Sequence, residues 1–139
     1  MNIANSKKRM YVLLAALSIV LAIGLYVALS QKAQEPIVKF VTSSEAWEKI
    51  NGHQDVFLLD VRSYEEFYNM RIPGAVNIPH DMIKEKRHLL PQDTRTYILL
   101  YCRTWMRALD AVNELLDLGY TNIIAFPGMA FWEYDTISG

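Results

Sequence analysis

The sequence predicts an α/β domain, a mostly parallel sheet with helices on both faces, preceded by one transmembrane helix. Three observations predict it. Apolar, strand-like runs alternate with helical patterns from about residue 37 onward, the order that builds parallel sheets. Two helix starts carry a capping-box spacing, Thr42 with Glu45 and Ser63 with Glu66. Near the N-terminus, "YVLLAALSIVLAIGLYVAL" runs through 19 residues, Tyr11 to Leu29, without a charged side chain.

The whole chain has 139 residues and a formal net charge of -1, room for about one domain and no electrostatic bias toward nucleic acid. Hydrophobic residues make up 52%, and the excess is concentrated in the N-terminal run. As a helix that run would span roughly 28 Å at about 1.5 Å per residue, close to a bilayer's hydrocarbon core. Lys7, Lys8 and Arg9 precede it, a bias that leaves residues 1–10 in the cytoplasm, 11–29 in the membrane and the rest outside. A cleaved signal peptide is the competing expectation, because "ALS" at Ala28 to Ser30 has the small-x-small form of a cleavage site. Both place the remainder outside the cytoplasm, tethered to the membrane in one case and released in the other.

Residues 30–36 are polar, contain Pro36 and have no period, so they form a tether, and the folded domain takes residues 37–139. "TSSEAWEKI" opens a short helix at Thr42. "VFLLDV" is a continuous apolar run ending near Asp60, as in a strand covered on both faces. "SYEEFYNM" is a second helix, and "IPGAVNIP" a Pro-Gly turn before a brief strand. "KEKRH", Lys84 to His88, fits a solvated helix face. "TYILLYC" is another strand; "RALDAVNELLDLG" is a helix with Ala108, Val112 and Leu115 on one face and Gly119 at its stop. "NIIAF" is a further strand and "MAFWEY" a final helical turn, with Phe131, Trp132, Tyr134 and, earlier, Trp47 expected to pack in the core.

Cys102, the only cysteine, closes the "YILLYC" strand and is followed by a tight loop that enters a helix near Met106. In parallel α/β sheets ligands collect at carboxyl ends of strands. Successive loop amides would form a nest, the helix N-terminus adds about half a positive charge, and Arg103 and Arg107 stand nearby. Each favours thiolate, so the thiol is expected to fall from about 8.5 toward neutrality or below. The competing reading is a buried, inert cysteine. A lone cysteine makes no internal disulfide, so outside the cytosol it is a reactive thiol or an intermolecular partner.

"LLDVRSYEEFYNMRIPGAVNIP", residues 58 to 79, and "YILLYCRTWMRALDAVNELLDLGYTNIIAFPGMAFW", residues 97 to 132, together resemble a single rhodanese-like domain. The resemblance implies sulfur transfer. A thiolate attacks the outer sulfur of a donor such as thiosulfate, sulfite leaves, and the persulfide passes its sulfur to a thiol or cyanide. Carried onto this chain, Cys102 would be the catalytic residue and the amides of Arg103, Thr104, Trp105, Met106 and Arg107 would cradle the persulfide or donor. Arg103 and Arg107 would attract the anion, while Asp60 and Arg62 would brace the loop as an ion pair. No cofactor and no metal is implied; His53, His80 and His88 lack ligand spacing. The implied partners are a small sulfur-containing anion, a thiol or protein acceptor, and the membrane through the N-terminal helix.

Cys102 to Arg107 is Cys-x4-Arg, shorter than the Cys-x5-Arg loop of the phosphatases and arsenate reductases that share this fold, and therefore sized for sulfur. Two residues depart from the family's Cys-Arg-x-Gly-x-Arg-Ser: Trp105 replaces the glycine and Ala108 the serine. Tryptophan resists the positive φ that glycine permits, so closure of the loop is in question. The alternative function is a catalytically weak or inactive binding module of the same fold; a thiol redox protein is disfavoured because the chain has no resolving cysteine.

Overall fold

A computed structural model describes residues 3–30, 35–52 and 55–139. Most of the predicted tether and His53 lie outside the described residues. The chain divides into two compact units, Met1–Gln34 and Glu35–Gly139.

The first unit is helix α1, Ile3–Ser30, with a stretch Lys7–Val27 of mean hydropathy 2.5 and none of it buried. It is long and apolar enough to cross a membrane, and the same composition suits a signal sequence.

The second unit holds β1 (Ile37–Phe40), α2 (Ser43–Asn51), β2 (Val56–Asp60), α3 (Tyr64–Asn69), β3 (Val76–Asn77), β4 (Tyr97–Tyr101), α4 (Met106–Asp117) and β5 (Asn122–Phe126). Its five strands form one sheet in the order β1-β5-β4-β2-β3, and every pairing is parallel. All carboxyl ends therefore share one edge, with β4 in the middle.

Alternation along the strands sorts side chains onto two faces. Leu59, Ile98, Leu100, Ile123 and Ala125 meet Ala108, Ala111, Val112 and Leu115 of α4 on one side. Leu58, Leu99, Tyr101, Ile124 and Phe126 meet Ala46 of α2 on the other. Burying each leucine, isoleucine, valine or phenylalanine among them contributes about 1.5–3 kcal/mol.

Both capping boxes form, Thr42 with Glu45 and Ser63 with Glu66. Helix α4 stops where Gly119 takes φ 88°; its N–H donates to the Leu116 carbonyl and that of Tyr120 to Leu115, the two bonds of a Schellman stop.

The sequence expectations need four corrections. Strand β1 was unassigned: four residues containing Lys39 carry little periodicity, and pairing with β5 alone makes it a strand. "KEKRH" is no helix face, for the segment forms turns with a 3-10 turn at Arg87–Leu89, and Lys84 reaches across to Glu114 and Asp117 of α4. "MAFWEY" supplies only a 3-10 turn, Gly128–Phe131. Phe131 is 61% exposed and Trp47 38%; Trp47 stacks on Tyr134 at the surface, ring centroids 4.8 Å apart.

Candidate active site

The site is built at the carboxyl edge of the sheet. Parallel pairing sets Asp60, the last residue of β2, beside Tyr101, the last residue of β4. Cys102 follows Tyr101, and residues 103–105 carry the chain into α4, whose N-cap is Trp105.

Beneath the loop, Asp60 and Arg62 form a buried ion pair, 0% and 3% exposed. Arg62 Nε donates to both Asp60 oxygens at 3.0 Å and Nη2 to Oδ2 at 2.5 Å. Nη2 also donates to the Met70 carbonyl and Nη1 to that of Glu66, and the Asn77 amide donates to the Asp60 and Arg62 carbonyls. Against the cost of burial, the Asp60 carboxylate holds the Arg62 guanidinium above its usual pKa. A buried pair so fully hydrogen-bonded fixes geometry, whatever its net stability.

The loop is also held from the far side. Met129 N–H donates to the Cys102 carbonyl and Ala130 N–H to that of Arg103, each at 3.1 Å. Gly128, at φ 75°, makes this approach possible: a β-carbon there would lie 2.0 Å from the Cys102 oxygen.

The thiol lies inside this frame. Cys102 is 0% exposed, packed with Val61, Ala108 and Val112. Its sulfur contacts the Thr104 carbonyl, and the amides of Ala108 and Thr104 and the charge of Arg107 favour the thiolate. Burial outweighs them and pushes the thiol above its ordinary value, with a small further push from Asp60. The expected fall toward neutrality is thus overturned, because enclosing the charge costs more than the loop amides and Arg107 return.

Trp105 answers the question about loop closure. It adopts φ -93° and ψ -29°, ordinary helical backbone, so the loop closes without a positive φ at this position. Its ring packs on the core and meets Phe40 edge-on, centroids 5.6 Å apart. Met106 is 71% exposed, and the side chains of Arg103 and Thr104 are exposed as well.

The two arginines differ. Among the described residues Arg103 forms no ion pair, and it lines a groove with Asn69, Met70, Met129 and Ala130. Arg107 is clamped by Glu66: Nη1 lies 2.5 Å from Oε2 and Nη2 2.9 Å from Oε1. That pairing, with the Ser63 amide, lowers Glu66 to about 2. The sequence placed Glu66 in its helix cap and within the family motif of residues 58–79 but did not show this role, nor those of the Ala108 amide and Gly128. The spacing of 41 residues between Glu66 and Arg107 carries no local signal.

Comparison with known proteins agrees with this architecture. The family model described as "Rhodanese-like domain" matches residues 42–128. The "Putative sulfurtransferase YtwF" of Bacillus subtilis is 32% identical over 99 residues, covering 71% of this chain and 94% of that protein. A "Sulfurtransferase" of Allochromatium vinosum is 26% identical over 92 residues, 66% of this chain and 84% of the relative. The crystal structure of a rhodanese-related protein from Thermoplasma volcanium superposes with a TM-score of 0.62 at 24% identity, over 73% of this chain and 99% of its own, a likeness of fold. With a family model spanning most of the second unit and a relative matched over nearly its whole length, the chain belongs to the rhodanese-like domain family.

Proposed function

We propose that this protein is a sulfurtransferase in which Cys102 carries the sulfur as a persulfide. The observation that supports it most is the placement of Cys102: the middle strand of a parallel sheet delivers it to a helix N-terminus, with the Thr104 and Ala108 amides at its sulfur and Arg107 within electrostatic reach. The thiolate attacks the outer sulfur of an anionic donor such as thiosulfate. A new S–S bond forms on Cys102, the donor's S–S bond breaks, and sulfite leaves with the bonding electrons. An acceptor thiolate then attacks the outer sulfur of the persulfide and the Cys102 thiolate departs. Arg103, exposed and unpaired among the described residues, attracts the donor, while the amides of residues 103–108 hold the sulfur and the Asp60–Arg62 pair braces the loop beneath it.

Helix α1 is the membrane anchor in this reading. Lys7, Lys8 and Arg9 keep the N-terminus cytoplasmic and the rhodanese-like unit on the outer side of the inner membrane, where it meets a thiol or protein acceptor.

A second reading, a binding module that no longer turns over, is favoured by the complete burial of the sulfur and its raised pKa. Intact mass of the full-length chain in detergent, after incubation with thiosulfate, separates the two. A gain of one sulfur atom, removed by cyanide or thiol and absent from Cys102→Ser, is the expected result. No adduct at any pH up to that at which the thiol alkylates would refute turnover.

A further inference from the structure

Glu66 is joined to three parts of the site at once. Its carboxylate accepts from both terminal nitrogens of Arg107 and closes the cap of α3 through the Ser63 N–H and hydroxyl; its backbone carbonyl accepts from Arg62. Glu66 and Arg107 are each 29% exposed at the side chain, so the pair stands at the border between the loop and solvent. Arg107 occupies the first turn of α4, and the Cys102 charge acts on it. The charged groups that face the sulfur are Arg107 from α4 and Asp60 from the end of β2, and Asp60 is already occupied by Arg62. Of the two other anions that act on Arg107, the Cys102 thiolate and Asp60, Asp60 is held by Arg62.

We propose that Glu66 is a positioning residue for sulfur transfer: it holds Arg107 aside from the Cys102 sulfur, so that the guanidinium does not pair with the thiolate and stand between it and an incoming donor. The proposal rests on the sulfurtransferase reading for its purpose but not for its test. A guanidinium drawn onto the thiolate would lower the thiol's pKa by direct pairing while blocking the approach of the donor sulfur. Glu66 thus sets a balance in which the thiolate is scarcer but not tied up by Arg107.

The test is the pH profile of iodoacetamide alkylation of the single cysteine in the full-length chain, for wild type, Glu66→Gln, Arg107→Met and the double variant. Glu66→Gln keeps shape and one acceptor while releasing the guanidinium. Its alkylation midpoint is expected to fall by roughly half a pH unit, about a threefold gain in thiolate well below the midpoint. Arg107→Met is expected to raise the midpoint, and the effect of Glu66→Gln to vanish in that background. With thiosulfate, Glu66→Gln should raise KM more than it lowers kcat. An unchanged or raised midpoint in folded Glu66→Gln, or a fall that persists in the double variant, overturns the proposal; should Glu66→Gln not fold, a fall in Arg107→Met overturns it instead. Alkylation reads the thiolate whether or not sulfur is transferred, so a protein inert to thiosulfate would sink the proposed function and leave this result standing.

Discussion

Gly128→Ala tests whether the Cys102 loop is held in place by the turn after β5. The new β-carbon would lie 2.0 Å from the Cys102 carbonyl oxygen and 3.0 Å from the Tyr101 β-carbon. Close carbon–oxygen contacts begin at about 3.3 Å, so the two segments must part by about 1 Å. That displacement breaks the bonds from Met129 to the Cys102 carbonyl and from Ala130 to Arg103, at about 1 kcal/mol each. Holding alanine at φ 75° costs about 1–2 kcal/mol more. The total loss is roughly 3–4 kcal/mol, measured as the shift of the urea midpoint by tryptophan fluorescence of the full-length chain. Gly74→Ala is the control: φ is 80° but no atom lies within 4 Å of the added carbon, so only the conformational cost, about 1–2 kcal/mol, applies. If the two variants lose the same stability, or Gly128→Ala leaves the alkylation rate of Cys102 unchanged, the coupling between turn and loop is refuted.

Other outcomes follow from the same geometry. Asp60→Asn or Arg62→Met leaves one buried charge unmatched and should cost about 3–5 kcal/mol in urea unfolding, whereas a loss under about 1 kcal/mol would mean that water reaches the pair. Glu66 has its carboxyl lowered from 4.5 to about 2, so its stabilisation is full above pH 4.5 and disappears as pH falls toward 2. Discounted for solvent screening of a partly exposed pair, the loss is roughly 1–2 kcal/mol, and it should be missing from Glu66→Gln. Trp105→Gly, which brings the loop nearer the family pattern, should destabilise by about 1–3 kcal/mol, because the indole packs on Phe40 and the core while the backbone gains nothing from glycine at φ -93°. Wild-type Cys102 should alkylate with a midpoint above that of a free cysteine, and a midpoint below it would show that the burial cost is smaller than the enclosed geometry implies.

The sequence by itself determined what depends on neighbouring residues. Continuous apolar runs specified β2, β4 and β5, serine or threonine followed by glutamate specified the starts of α2 and α3, and Gly119 specified the end of α4. The order of those elements made the sheet parallel and so brought Cys102, Asp60 and Arg62 to one edge. The family motifs lie in the same local stretches, which is why rhodanese-like membership was legible there. Tertiary structure decided the electrostatics. Glu66 takes Arg107 from 41 residues away, the turn at Gly128 approaches Cys102 from the end of another strand, and the core closes over the sulfur until burial outweighs the loop's positive charge. Strand β1, with four residues and a lysine, is a strand only because β5 offers it an edge. A residue's type and spacing state which charges and amides are available; the free energy of a thiolate depends on distances and on excluded water, and those exist only once the chain has packed.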